Sequence, residues 1–203
     1  MRGLAAGMPA EFAAQLPRCM RGTGTGTTRI RGGRGLTVRR ASMLGPMYST
    51  QVSWHVNASR AAVYRALVEA DAVAQWRVPD GMSSQVHEFD AREGGAFRIS
   101  LTYDMPVGAG KTDPHTDTYH GHFARLVPGE QVVEVMEFET ADPALRGTMT
   151  MTTTLTDADG GTDVLVVHEG IPDAVPAADN ETGTRMALAR LARLVEAGER
   201  RPG

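Results

Sequence analysis

The chain has 203 residues, 41% apolar and 22% charged, a balance that fits one globular domain with an appendage and excludes a short disulfide scaffold. Its one cysteine, Cys19, permits no internal bridge and fits a reducing compartment, so a cytoplasmic protein is expected. No apolar run approaches the roughly 18 residues a membrane-spanning helix needs. The net charge of -3 conceals two materials: Met1 to Gly45 carries eight Arg against Glu11, whereas the remainder holds 13 basic and 23 acidic residues.

The first 45 residues contain nine Gly and Phe12 as their only aromatic, too little apolar surface to offset the entropy of ordering, so this stretch reads as a disordered basic extension. Gly22-Thr23-Gly24-Thr25-Gly26 is similar in composition to a phosphate-cradling loop, but no strand precedes it and no Gly-Lys-Ser/Thr follows. Three explanations stand for the Arg-rich leader: a transit peptide, a polyanion-binding tail, or a start placed upstream of Met43 or Met47 in a GC-rich coding sequence.

From Thr50 the pattern changes to short elements. Val52, Trp54 and Val56 alternate with polar residues as in a half-buried strand. Ser59 is a suitable N-cap for a helix placing Val63, Ala66, Leu67 and Ala70 on one face. A second helical turn, Asp71 to Trp76, ends before Pro79. Strands are then predicted over Ser83 to Phe89, Gly95 to Tyr103, Asp117 to Val127, Gln131 to Phe138, Gly147 to Thr156 and Thr162 to Glu169, separated by Gly-containing turns that favour hairpins and an antiparallel sheet. The longest interruption is Met105 to Thr116. A final helix runs to Glu196, capped by Asp179 or Asn180, with Leu188, Leu191, Leu194 and Val195 on one face. The expected architecture is α+β: a curved antiparallel sheet of about seven strands on a long C-terminal helix, with one or two short helices after the first strand. One helix about 10 Å wide cannot fill the concavity of so wide a sheet, so a pocket between them is expected.

This order of elements resembles the START-like (SRPBCC, helix-grip) superfamily, and within it the branch named after the C-terminal domain of activators of heat-shock-protein-90 ATPase. The resemblance rests on Ala58-Ser59-Arg60-Ala61-Ala62-Val63-Tyr64-Arg65-Ala66-Leu67, on Trp76, on Glu93-Gly94-Gly95-Ala96-Phe97-Arg98 and on Gly121-His122-Phe123-Ala124-Arg125-Leu126-Val127-Pro128. It extends through Gly161-Thr162-Asp163-Val164, His168-Glu169-Gly170 and the helix ending Leu188 to Val195, and implies a START-like domain over residues 46–200. The sequence departs from the family pattern twice. Arg77 stands where relatives often carry a second Trp or a Gly, and Thr184 stands where many carry a Trp after the glycine matching Gly183, which removes a large ring from the start of the grip helix. The superfamily includes lipid and polyketide carriers, cyclases, hormone receptors and chaperone activators, so the fold does not choose among them.

The candidate ligand-binding residues are those expected to face the pocket: Trp76, Phe97, Ile99, Leu101, Tyr103, Tyr119, Phe123, Met149, Met151, His168, Leu188 and Leu191. For any one of them ordinary core packing is the simpler explanation. Tyr119 and His168 are the candidates to orient a polar end. Asp113, His115, Asp117, His120 and His122 cluster in sequence, but Tyr119, Gly121 and Phe123 form the inward set, which turns His120 and His122 outward; no metal site is assigned. His168, Glu169, His87, Tyr103 and Tyr119 could serve acid/base chemistry, yet none sits in a catalytic signature and none is assigned as catalytic. No cofactor is implied. The leading expectation is binding of a hydrophobic or amphipathic small molecule. A chaperone-interacting module and a cyclase or hydratase-type enzyme are the alternatives. Homodimerisation through the convex sheet or an edge strand stays open, and neither nucleic acid nor a membrane span is expected.

Overall fold

The computed structural model describes residues 47–105 and 110–199. The expected disorder of the first 45 residues falls outside them.

Seven strands form one sheet: β1 (Met47–Val56), β2 (Met82–Phe89), β3 (Ala96–Tyr103), β4 (Thr116–Val127), β5 (Gln131–Phe138), β6 (Met149–Ala158) and β7 (Gly161–Pro172). Every pairing is antiparallel and the spatial order is β1-β7-β6-β5-β4-β3-β2. From β2 to β7 the chain is therefore a meander of hairpins, the cheapest connections available to short strands separated by glycine-containing turns. Closing β1 against β7 puts β1 and β2 on opposite edges. The helices α1 (Arg60–Val68) and α2 (Ala70–Trp76) carry the chain between those edges. Register shifts at Tyr48/Thr50, Val86/Glu88 and Phe123/Arg125 bend individual strands.

The long helix α3 (Ala177–Glu199) comes closest to β1, α2 and α1. It begins earlier than its sequence suggests: Asp179 and Asn180 lie in its first turn, and their amides donate to the Pro176 carbonyl. Pro176 explains the shift, since a proline lacking an amide proton loses nothing ahead of a first turn, and Asp179 then complements the helix dipole from inside it. Ser59 does cap α1, its hydroxyl accepting from the Ala62 amide. A 3-10 turn at Pro143–Leu145, capped by Asp142, joins β5 to β6 and has no counterpart in the predicted elements.

Alternation along each strand sorts the side chains. Val52 and Val56 of β1, Phe97 and Ile99 of β3, Phe123 of β4, Val132 and Met136 of β5, Met149 and Leu155 of β6, and Val164 and Val166 of β7 turn inward and are buried with Val63, Leu67, Leu188 and Leu191 of the helices. Gly121 of β4 is required for this packing: a Cβ there would lie 2.8 Å from Phe97 Cζ and 2.1 Å from the Val135 carbonyl oxygen, so the Phe97 ring crosses a strand with no side chain. Phe97 thereby meets Phe123 and Tyr119 edge to face, with ring centroids 5.3 and 6.4 Å apart. Among the described residues, no helix is long and apolar enough to cross a membrane.

Candidate functional site

Adjacent strands bring Thr50 of β1, His168 of β7, Met151 of β6, Glu134 of β5 and Phe123 of β4 into one transverse row, each directly paired with the next. All are in phase with the buried apolar residues of their strands, so a band of polar groups crosses the inner face of the sheet.

Glu134 is completely buried, and its two oxygens accept from Nη1 and Nη2 of Arg77 at 2.7 Å each. Arg77 follows α2 directly, and its guanidinium lies over the Trp76 ring, 5.1 Å from the centroid. Burial opposes the Arg77 charge, but the bidentate carboxylate outweighs it and raises the pKa beyond the ordinary guanidinium range. The Tyr119 side chain acts on the same guanidinium. Burial pushes its phenol up to about 12, so Tyr119 keeps its proton at neutral pH.

At the other end of the row Thr50 Oγ1 donates to Asn180 Oδ1 at 2.6 Å, and Asn180 Nδ2 meets His168 Nδ1 at 3.2 Å. Because Oδ1 is taken by Thr50, the Asn180 amide donates to the ring; Nδ1 accepts, and the ring proton sits on Nε2. Burial, reinforced by the Arg77 charge, holds the His168 pKa down to about 4, so the ring is neutral at pH 7. Among the described residues, four buried side-chain polar atoms lack a hydrogen-bond partner, and two of them, Arg77 Nε and His168 Nε2, belong to this band.

Exposure along α3 separates the two ends of the interior. Leu188, Leu191, Ala192 and Val195 are buried. One to two turns earlier Asn180, Thr184 and Ala187 are half-buried, and so are Leu101, Tyr103, Phe138, Met151 and His168 on the sheet. The twelve sequence-predicted ligand residues divide along this line. Phe97, Ile99, Phe123, Met149, Leu188 and Leu191 lie in the sealed core, and Trp76 is buried there too, its indole donating to the Ala66 carbonyl at 2.9 Å. Leu101, Tyr103, Met151 and His168 stand at the half-open end, and Tyr119 lies beside Arg77. Two clefts of about 500 and about 310 Å³ occur elsewhere, one beside Arg60 and Asp157, the other beside His120 and His122; neither lies between α3 and the sheet.

Sequence reasoning missed the Arg77–Glu134 pair, Asn180 and Thr50 as site residues. A signal existed for Glu134, which interrupts the inward set Val132, Met136 and Phe138 at an inward position. In the sequence Arg77 and Thr184 stand out only as departures from a family pattern, and in the structure both face this region. Thr184 is half-buried there, its hydroxyl donating to the Asn180 carbonyl at 2.8 Å. His120 and His122 are partly or fully exposed on the outer face. No group of three or more His, Cys, Asp or Glu residues suited to a metal ion occurs among the described residues.

Solved structures of similar fold include a Chromobacterium violaceum protein at 32% identity, aligned over 73% of this chain and 98% of that one with a TM-score of 0.64. A Rhodobacter sphaeroides protein matches at 19% identity over 76% and 97% with a TM-score of 0.60. An AHSA1-like protein from Aeromonas hydrophila matches at 19% identity over 75% and 94% with a TM-score of 0.57. No curated protein matches the chain. Residues 57–196 match the family described as "Activator of Hsp90 ATPase homolog 1-like protein", and with a 32%-identical relative covered almost end to end, the chain belongs to that family.

Proposed function

We propose that this domain binds an apolar or amphipathic small molecule between the N-terminal half of α3 and the inner face of the sheet. The observation that carries the reading is the half-exposure of inward-facing Leu101, Tyr103, Phe138, Met151 and His168, together with that of Asn180, Thr184 and Ala187 on α3, whose Asn180 bonds His168. A hydrophobic core that served stability alone would close over such residues, since each exposed apolar area forgoes about 25 cal/mol per Å². Thr184, where relatives often place a Trp, leaves room at this end. Apolar walls with a few polar groups among them are the usual make-up of a small-molecule site.

A neutral fluorophore, N-phenyl-1-naphthylamine, tests the reading. Its emission is expected to rise and saturate at micromolar protein, and to stay at the buffer value with Met151→Arg, which puts a charge into the middle of the row. Absence of enhancement by the wild-type protein, or equal enhancement by a folded Met151→Arg variant, overturns the reading.

The chaperone-partner alternative rests on the family description alone. The cyclase alternative needs a general base, and His168 is poorly suited to that role: Nδ1 is occupied by Asn180 and Nε2 carries the proton.

A further inference from the structure

We propose that the polar band selects ligands bearing a neutral carbonyl oxygen on an apolar body, with His168 Nε2–H as the donor that meets it. The inference rests on the interior ligand site proposed above.

What the band leaves unpaired decides the chemistry. Its acceptors are already engaged: both Glu134 oxygens take Arg77 protons, Asn180 Oδ1 takes the Thr50 proton, and His168 Nδ1 takes an Asn180 proton. The Arg77 guanidinium is taken by Glu134 and Tyr119, whereas His168 Nε2, a buried donor, has no partner. Buried unpaired donors cost stability, and such groups are retained where something else completes them. His168 and Glu134 flank Met151 on the two neighbouring strands, which sets their Cα atoms about 10 Å apart across the sheet. An acceptor oxygen lodged above Met151 lies beside His168, on the neighbouring strand.

Charge selects the kind of acceptor. Arg77 and Glu134 cancel, and the Asn180 arrangement leaves His168 as a neutral imidazole. A carboxylate entering this space would lose its hydration opposite the buried Glu134 carboxylate, with no uncompensated cation to receive it. A ketone, enone or amide oxygen needs only donors.

Three probes of nearly equal shape separate these terms: 2-acetylnaphthalene, 2-isopropenylnaphthalene, in which a methylene replaces the carbonyl oxygen, and 2-naphthoate. Isothermal titration at pH 7 is expected to show the ketone binding about tenfold more tightly than the alkene and than the carboxylate. In His168→Leu the ketone should fall to the alkene's affinity while alkene binding persists, which also shows that the variant is folded; His168→Gln, whose amide can donate, should restore part of the preference. Equal affinity for ketone and alkene, or tightest binding of 2-naphthoate, overturns the donor assignment while leaving the pocket in place. Binding of none of the three removes the pocket and the inference together.

Discussion

The two ends of α3 meet the same sheet in opposite ways. At the C-terminal end, Leu188, Leu191, Ala192 and Val195 are buried, and the helix is fastened to the turn after β1. Glu196 accepts from the backbone and side-chain amides of Asn57, and Glu199 from the amide and hydroxyl of Ser59 at 3.1 and 2.6 Å. At the N-terminal end, the inward residues are Asn180, Thr184 and Ala187, half-buried, and the sheet opposite presents His168 and the Arg77–Glu134 pair with donors left over. One end maximises burial and satisfies its polar groups. The other gives up burial and leaves polar groups incomplete, the division expected between a part that stabilises and the ligand end proposed above.

The contrast breaks most sharply at Glu134. Glu134→Leu strands the Arg77 charge in the interior and is expected to cost about 4 kcal/mol in urea unfolding, whereas Arg77→Met combined with Glu134→Leu should recover most of that loss. A cost for the single variant below about 1 kcal/mol would show that the pair is not held dry. At the sealed end Leu191→Ala should cost about 3 kcal/mol, because a fully buried side chain leaves a cavity that its neighbours cannot fill.

Acidification sharpens the contrast at the other end. His168 has a folded pKa of about 4 against an unfolded value of about 6.5, so the unfolded chain binds the extra proton between those limits. The contribution of neutral His168 is full above about pH 6.5, declines as the pH falls towards 4 and is exhausted below it. It is worth up to about 3 kcal/mol. His168→Leu should flatten the stability–pH curve between pH 4 and 6.5 relative to wild type; parallel curves would mean that the ring is solvated. The smallest effect on stability is expected from Thr184→Trp, within about 1 kcal/mol of wild type, since the added ring enters the half-open end. The same change should abolish the N-phenyl-1-naphthylamine signal. A large destabilisation with binding intact would reverse the assignment of the open and closed ends.

Much of this architecture is legible before any coordinates. Alternation in Val52, Trp54 and Val56, the Ser59 cap and the hairpin turns at Gly129 and Gly160 are local features, and local stereochemistry forces the same elements wherever they occur. The start of α3 lies three or four residues before the position that Asp179 or Asn180 as N-cap implies, because the proline ahead of them is the stronger constraint. The site was half legible. The inward phase of Met151 and Tyr119 is read from their strands and the candidacy of His168 from the family resemblance, but period-2 and period-3.6 patterns cannot tell that Phe97, Phe123 and Leu188 are sealed while Met151 and His168 are half-buried. Arg77 and Glu134 are 57 positions apart, and nothing in either neighbourhood announces the other.

The sequence by itself determined the elements, their antiparallel order and the inward phase of each strand, because backbone geometry and apolar periodicity act over a few residues. Only the tertiary structure decided which inward residues are sealed and which stand open, and which donors remain unpaired. Those properties depend on how far α3 lies from each strand and on partners supplied by distant segments, and no local pattern carries that information.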